Sequence, residues 1–177
     1  MARVRRKTPL TVSRPALLAQ GSDAEFRGLI HDLIAYGHKL DACRDAFAAI
    51  AGISGVQYEI LMLVSRADGL PVGEVAARLH RSGAFITIEA NKLVERGILD
   101  KASDPADGRR VLLKMNSKSH QLLERIAPYQ QRINDVLFEF VDAKRFRELR
   151  ALAAELVGRG DRAVAMLELL IQEAEAA

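Results

Sequence analysis

The sequence is poor in the residues that define disulfide-rich, thiolate-metal and membrane proteins. Cys43 is the one cysteine among 177 residues, which excludes an internal disulfide and a multi-thiolate metal site. Tryptophan is absent, and the apolar stretches are only a few residues long, far short of the ~20 that span a bilayer. The N-terminus is basic with no apolar segment behind it, so no secretory signal is expected. These absences favour a cytoplasmic protein.

What the sequence does contain suits one globular domain with a real core. Hydrophobic residues make up 49% and charged residues 28%, which excludes wholesale disorder. An enzyme is not indicated, because there is no glycine-rich phosphate loop, no nucleophile motif and no evident pair of acids. His31 and His38 lie about 10 Å apart along a helix, too far to share a metal. No metal and no cofactor are expected.

The positive charge is unevenly distributed. Residues 1–22 contain no acid and five basic residues, namely Arg3, Arg5, Arg6, Lys7 and Arg14. Removing these five from the 26 Lys and Arg leaves 21 basic residues against 23 acidic ones. Residues 78–118 hold a second excess, nine basic residues against five acids. This pattern is typical of a protein that binds a polyanion. For residues 1–22 alone, a disordered extension that only aids solubility remains an alternative.

The first 52 residues predict an arm followed by a long helix. Residues 1–21 show no sustained period and are interpreted as a basic, flexible arm. Ser22 to Glu25 resembles a capping box, and residues 22–52 carry an apolar stripe that ends at Gly52. The stripe consists of Leu29, Leu33, Tyr36, Leu40, Cys43, Phe47 and Ile50. A helix roughly 40 Å long is too long for a small monomer to cover, so we expect a first dimerisation helix.

Residues 53–115 predict a winged helix-turn-helix, so the expected fold is mainly α with a small β-hairpin wing. Helices are predicted over 55–66, 72–79 and from the N-cap Ser82 to Arg96. The period then changes to two over 98–101 and 110–115, which predicts two strands joined by a polar loop at 103–108. Residues 116–177 are predicted to form C-terminal dimerisation helices, with a kink at Pro128 and an interruption at Gly158 and Gly160.

The helix from Ser82 to Arg96 has the chemistry of a recognition helix. Such a helix enters the major groove with its outer residues near base edges. Its outward set is Phe85, Thr87, Ile88, Asn91 and Lys92. Arg81 and Ser82 lie at its positive end, where a backbone phosphate binds. Just behind the glycine-bearing tip of the hairpin, Arg109 and Arg110 are expected to enter a minor groove, with Asp107 orienting Arg109.

These segments resemble the MarR transcriptional regulators. The resemblance rests on Val72-Gly-Glu-Val-Ala-Ala-Arg-Leu79, on Ser82 to Gly97, and most specifically on Asp104-Pro-Ala-Asp-Gly-Arg109. It covers residues 53–126 and implies an obligate homodimer joined by its N- and C-terminal helices. It also implies a pseudo-palindromic DNA operator and release by a small molecule. A repressor is favoured because most members act by occlusion.

Three positions depart from the family pattern. Ile88 stands where many members carry Arg or Lys. Glu89 stands where an aliphatic residue is common, and we expect it to pair with a nearby cation or to tune sequence choice by repulsion. His80 replaces the Gly commonly found before the turn, and we expect it to contact backbone phosphate.

The resemblance also implies an effector cleft between the first two helices and the dimerising helices. The candidate lining residues are Tyr36, His38, Lys39, Arg44, Phe47, Tyr58, Met62 and Tyr129. Arg44 is expected to hold a carboxylate between aromatic walls, which favours an aromatic or phenolic acid or its coenzyme A thioester as the effector. The alternative is that these aromatic and Met side chains belong to the core.

Two other interpretations remain open. Some MarR members sense oxidants through a thiol in the first helix, and Cys43 lies late in that helix, although a buried inert thiol is the ordinary outcome. The second is a winged-helix module for protein or membrane contact, with the arm on acidic lipid. Such a module has no need of Arg109.

Overall fold

The computed structural model describes residues 8–105, 107–108 and 110–176, in two compact units that divide between Gln131 and Arg132. Six α-helices, one short 3₁₀ helix (Pro15–Leu17) and three strands lie within these residues. The helices are α1 (Ala24–Ala51), α2 (Gly55–Val64), α3 (Val72–Arg78), α4 (Gly83–Glu95), α5 (Ser117–Phe138) and α6 (Ala143–Glu175). The strands are β1 (Leu70–Pro71), β2 (Leu99–Ser103) and β3 (Val111–Met115). The prediction of a mainly α fold with a small β wing is confirmed.

The core of the first unit is built around α2 and α4. The apolar side chains that recur every three to four residues along these helices point inward, as the helical period requires. The most deeply buried large side chains are Ile60, Leu61, Val64, Val75, Ile86, Leu93, Leu99, Leu113 and Ile126. They come from α2, α3, α4, β2, β3 and α5, so the helix-turn-helix is fixed to the strands and to α5 by one continuous cluster.

The three strands form an antiparallel sheet in the order β1-β3-β2. β2 and β3 make the wing, with Leu99 opposite Met115 and Ser103 opposite Val111. β1 was not predicted because it has two residues and one is a proline, too short for an alternating pattern. It places Leu70 opposite Leu113 and so joins the segment before α3 to the base of the wing.

The start of the described chain packs against the beginning of α1. The backbone N–H and the hydroxyl of Thr11 both donate to Asp23 Oδ2, at 2.7 Å each. Arg27 donates to the carbonyl of Pro9 at 2.6 Å and pairs with Asp23 at 3.0 Å. These contacts place Pro9 and Thr11 against the start of α1, while the flexibility expected over 1–21 stays a prediction. Arg3, Arg5, Arg6 and Lys7 lie outside the described residues.

These contacts also change how α1 begins. The predicted capping box at Ser22 is wrong: the N-cap residue is Asp23, and its side chain makes no capping hydrogen bond. The physical reason is competition, because Thr11 and Arg27 already occupy the Asp23 carboxylate. The predicted end is confirmed, since Gly52 has φ +72°, a left-handed conformation that glycine adopts without a Cβ penalty.

In the second unit, α6 runs without interruption from Ala143 to Glu175. The predicted interruption at Gly158 and Gly160 is wrong. A glycine costs a helix only about 1 kcal/mol relative to alanine, and the surrounding Ala, Leu, Glu and Arg are strong helix formers. Its N-cap residue is Asp142, whose Oδ1 accepts from the Arg145 N–H at 2.8 Å.

No single helix among the described residues is long and apolar enough to span a membrane. α1 and α2 pass that test only when they are combined, and the two are bent 88° from each other.

Candidate nucleic-acid interface

The turn between α3 and α4 depends on a strained residue. His80 has φ +49°, one of two non-glycine residues with positive φ in the described chain. The chain reverses here, and the N–H of Arg81 donates to the carbonyl of Ala76 at 3.0 Å. Left-handed backbone is uncommon for a side chain with a Cβ, although histidine tolerates it better than most. This conformation explains why a glycine suits the position, and it leaves the His80 imidazole exposed.

Ser82 begins the recognition helix. Its Oγ accepts from the N–H of Phe85 at 3.3 Å, as predicted for an N-cap. The hydroxyl is therefore used inside the protein, and the positive end of α4 is open to solvent beside the exposed Arg81. An exposed helix N-terminus with an adjacent guanidinium is suited to a phosphate oxygen.

The outward face of α4 is accessible, as the sequence predicts. Ile88 is 55% exposed and Phe85 is 39% exposed, while Ile86 and Ala90 on the inner face of the helix are fully buried. The Thr87 hydroxyl donates to the carbonyl of Gly83 at 2.7 Å, which leaves its oxygen lone pairs as acceptors. This face therefore presents two apolar side chains that can contact a thymine methyl, and one hydroxyl acceptor for a base amino group.

Asn91 is held by a residue that the sequence reasoning missed. Its Oδ1 accepts from Lys101 Nζ of β2 at 2.7 Å, so the wing strand braces the recognition helix. The Asn91 NH₂ group keeps its two donors, and Lys101 brings a further cation to the interface. The signal was available in the sequence, because Lys101 is the outward residue of an alternating strand beside a predicted helix.

Glu89 is buried and joins α4 to α2. Its carboxylate accepts from Gln57 Nε2 at 2.9 Å and from Lys92 Nζ at 2.5 Å. The hydrogen bond from Lys92 is the main reason why the pKa of Glu89 lies below its ordinary value, although burial acts in the opposite direction. The expected pairing with a cation is confirmed. Gln57 in turn closes a capping box with Ser54 at the start of α2, which the sequence reasoning also missed.

The wing loop is closed by its own backbone. The N–H of Asp104 donates to the carbonyl of Arg110 at 2.9 Å, and the N–H of Arg110 donates to the carbonyl of Asp107 at 2.9 Å. The Arg110 side chain is exposed and its Nε lies 3.9 Å from Asp104 Oδ2. Arg109 lies outside the described residues, and with it the predicted Asp107–Arg109 pairing.

The effector candidates do not share one environment. Phe47 and Tyr58 are core residues whose ring centroids lie 6.3 Å apart, and Met62 packs against that core. Gln130 Nε2 donates to the Tyr58 hydroxyl at 2.5 Å, and burial raises the pKa of Tyr58. In contrast, the side chains of Tyr36, His38, Lys39 and Tyr129 are exposed. The core alternative therefore describes Phe47, Tyr58 and Met62.

Arg44 is already surrounded by carboxylates. Its guanidinium lies 2.9 Å from Asp41, 3.1 Å from Asp45 and 3.1 Å from Glu59. Partial burial disfavours its charge, but the hydrogen bond to Asp45 and the charge of Glu59 outweigh that effect and raise the pKa of Arg44. An effector carboxylate here would have to displace one of three acids, which disfavours the expected role.

Cys43 is half-buried against the core, and the described residues contain no cluster of three His, Cys, Asp or Glu that suits a metal.

Known proteins resemble this chain in the region of the helix-turn-helix and the wing. The model of the MarR family matches residues 51–110, from the end of α1 to the wing. YhbI of Bacillus subtilis strain 168, an uncharacterised HTH-type transcriptional regulator, is 23% identical over 104 residues, which are 59% of this chain and 68% of YhbI.

Solved structures share the fold. A MarR/EmrR family transcriptional regulator from Acinetobacter sp. ADP1 has a TM-score of 0.65 at 18% identity, over 77% of this chain and 96% of that one. A MepR mutant from S. aureus, bound to an oligodeoxyribonucleotide, has a TM-score of 0.50 at 16% identity, over 74% and 96%. The MarR family model thus covers the helix-turn-helix and the wing, and the solved structures show that this chain has the winged-helix fold of MarR regulators.

Proposed function

We propose that the protein is a homodimeric cytoplasmic repressor that binds a pseudo-palindromic operator and is released by a small molecule. The observation that carries the proposal is the exposed face of α4, held next to the β2–β3 wing by the bond between Lys101 and Asn91. Phe85, Thr87, Ile88 and the Asn91 amide read base edges in the major groove. The MepR mutant with its bound oligodeoxyribonucleotide supports this use of the fold.

Cations around α4 and the wing bind the DNA backbone. His80 and Arg81 lie before the N-cap Ser82, Lys92 lies on the outward face, and Arg110 follows the wing loop. Phosphate contacts fix the position of a protein on DNA without reading sequence, and each one adds to the salt dependence of binding. Arg109 is proposed to enter the adjacent minor groove.

Two apolar surfaces support a dimer. On α1, Leu29, Leu33 and Leu40 of the predicted stripe are between 40% and 53% exposed. On α6 of the second unit, no described residue is buried, although the helix carries Leu149, Leu152, Leu156, Leu167 and Leu170. Apolar faces of this size are unusual on a monomer. A dimer that covers an operator represses by excluding the transcription machinery.

The effector of this repressor is proposed to be an aromatic or phenolic acid or its coenzyme A thioester. Tyr36, His38, Lys39 and Tyr129 are the candidates with accessible side chains. Binding of the effector would favour a conformation with lower affinity for the operator. Thiol sensing through Cys43 has less support, because that side chain packs against the core.

The test is operator binding by variants of the full-length protein. DNA upstream of the protein's own gene is titrated with wild type, with Ile88→Ala and with Arg109→Ala, at two salt concentrations. Loss of the base contact of Ile88 or of the DNA contact of Arg109 is expected to weaken binding by about tenfold. Arg109→Ala also reduces the salt slope by about one. Arg147→Gln, an exposed residue of α6, is the control and keeps wild-type binding.

Wild-type affinity in both variants, with all proteins folded, contradicts the proposed interface. Absence of any specific binding by wild type favours a winged-helix module for protein contact instead.

A further inference from the structure

A second cationic site lies where α1, α4 and α5 of the first unit meet. A cavity of about 540 Å³ is lined by Arg96, Lys118 and Arg125 together with Ala51, Gly52, Ile98, Gln121 and Leu122. We call it the cationic pocket. Its lining contains three positive charges and no acid. It is separate from the outward face of α4 and from the Arg44 cluster.

Two of the three cations, Arg96 and Arg125, bind the carbonyl end of α1, and Lys118 binds the carbonyl end of α4. Arg96 Nη2 donates to the carbonyl of Gly52 at 2.9 Å, and Arg125 Nη2 donates to that of Ala51 at 3.0 Å. Lys118 Nζ donates to the backbone carbonyl of Arg96, the C-cap residue of α4, at 2.5 Å. A helix C-terminus attracts cations through its free carbonyls and its dipole, which is worth only about half a charge.

The carbonyls leave most of the positive charge uncompensated. None of the three cations is paired with a carboxylate among the described residues, whereas Arg27, Arg44 and Lys92 each are. Each guanidinium has five N–H donors, of which a carbonyl contact uses one or two. The three cations line one cavity and repel one another, and an anion in that cavity would relieve this repulsion and take the spare donors.

The pocket also has an apolar side. Ile98 is buried and Leu122 is half-buried, and both belong to its lining. A ligand that fits has an anionic head for the cations and an apolar body for these two side chains. We propose that the cationic pocket binds a small organic anion, with its carboxylate or phosphate group held by Arg96, Lys118 and Arg125.

The position of Arg96 gives such binding a consequence for DNA. Arg96 is the C-cap residue of α4, and its side chain ties that helix end to Gly52 of α1. An anion that takes donors from Arg96 weakens this tie and so acts on the recognition helix. This last step rests on the proposed function, because it requires that α4 binds DNA, while the binding of the anion itself does not.

The experiment measures anion binding to the full-length protein without DNA, by calorimetry. Phenyl phosphate and benzoate have both an anionic group and an apolar ring. Inorganic phosphate has the anionic group alone, and benzyl alcohol is the uncharged control. We expect one molecule of phenyl phosphate per chain, weaker binding of inorganic phosphate, and no binding of benzyl alcohol. Lys118→Gln and Arg125→Gln are expected to weaken phenyl phosphate binding about tenfold, and Arg125→Lys to restore part of the loss.

Arg66→Gln, an exposed cation outside the pocket, is the matched control and keeps wild-type binding. Circular dichroism shows whether Arg125→Gln remains folded, and Lys118→Gln serves alone if it does not. Unchanged binding in Lys118→Gln, or an equal loss in Arg66→Gln, overturns the proposal. The proposal is also overturned if no small anion binds and Lys118→Gln lowers the salt slope of DNA binding. The occupant of the pocket is then the DNA backbone.

A final arm repeats the titration with operator DNA present. Anion binding in the pocket with no specific DNA binding contradicts the proposed function and leaves the site intact. Specific DNA binding without any anion binding contradicts the anion site and leaves the proposed function intact.

Discussion

At the scale of single residues, the recognition helix is distinguished by a buried charge. Glu89 lies on the inner side of α4, where its neighbours Ile86, Ala90 and Leu93 are apolar. A buried carboxylate is costly unless it is paired and hydrogen-bonded, and here Lys92 supplies the charge and Gln57 the second donor. This arrangement fixes the rotation of α4 about its axis relative to α2. It therefore fixes which side chains form the proposed DNA interface.

A double-mutant cycle tests this link. Glu89→Leu leaves the Gln57 amide without its buried acceptor and is expected to lower the free energy of unfolding by about 1–3 kcal/mol. Gln57→Leu is expected to destabilise by a similar mechanism, since it removes a donor from Glu89. Because the double variant contains neither unpaired group, its loss is expected to be smaller than the sum of the two. Urea unfolding measures all three, and strictly additive losses would show that the two side chains are not coupled.

At the scale of elements, the start of the chain and α1 are joined through Asp23. Two hydrogen bonds from Thr11 and one from Arg27 hold the pKa of Asp23 at about 2, well below its ordinary value of 3.8. Because the folded pKa is the lower one, this contribution to folding is fully present above pH 4. It is lost as the pH falls toward 2. The contacts position the segment that follows the basic residues of the N-terminus.

Asp23→Asn is expected to release this segment at neutral pH. Thermolysin then cuts before Leu17 or Leu18 faster than in wild type, while Asp32→Asn, an exposed change on α1, leaves the rate unchanged. In wild type, the carboxyl carbon of Asp23 titrates near pH 2 by NMR. A midpoint near 3.8 in the folded protein, or equal cleavage rates in the two variants, refutes the role given to Asp23.

Glycine has opposite effects on stability at the end of a helix and in its interior. Gly52 ends α1 with φ +72°, whereas Gly158 lies inside α6, and the structure leaves open space for a Cβ at both positions. Gly52→Ala is expected to destabilise by about 1–2 kcal/mol, because alanine is strained in the left-handed region. Gly158→Ala is expected to stabilise by about 0.5–1 kcal/mol through helix propensity. Thermal unfolding distinguishes the signs, and a loss of stability in both variants runs against this account of Gly158.

At the scale of the whole molecule, periodicity and turn chemistry predict most of the fold. Ser82, Gly52 and Asp142 mark helix ends by local chemistry, and the alternating residues of β2 and β3 predict the wing. The long-range contacts are not predictable in this way. The link from Thr11 to Asp23 spans twelve residues, and that from Gln57 to Glu89 spans 32. Their partners are chosen by the folded arrangement and not by neighbours in sequence.

The same reasoning explains the mixed result for the candidate site. Exposure of the outward face of α4 follows from helical period, so Phe85 and Ile88 are where the sequence predicts. The environment of Arg44 depends on Glu59 of another helix, and the grouping of Arg96, Lys118 and Arg125 depends on where α1 and α4 end. Neither follows from local pattern.

The most direct test of the central claim is a footprint of the full-length protein on DNA upstream of its own gene. Two copies of the helix-turn-helix, related by a twofold axis, predict a protected pseudo-palindrome whose half-sites are centred about 10 base pairs, or a multiple, apart. The Ile88→Ala variant is expected to lose this protection at a protein concentration that saturates wild type. A single unpaired half-site, or protection that spreads evenly along the DNA with no preferred sequence, would contradict the account.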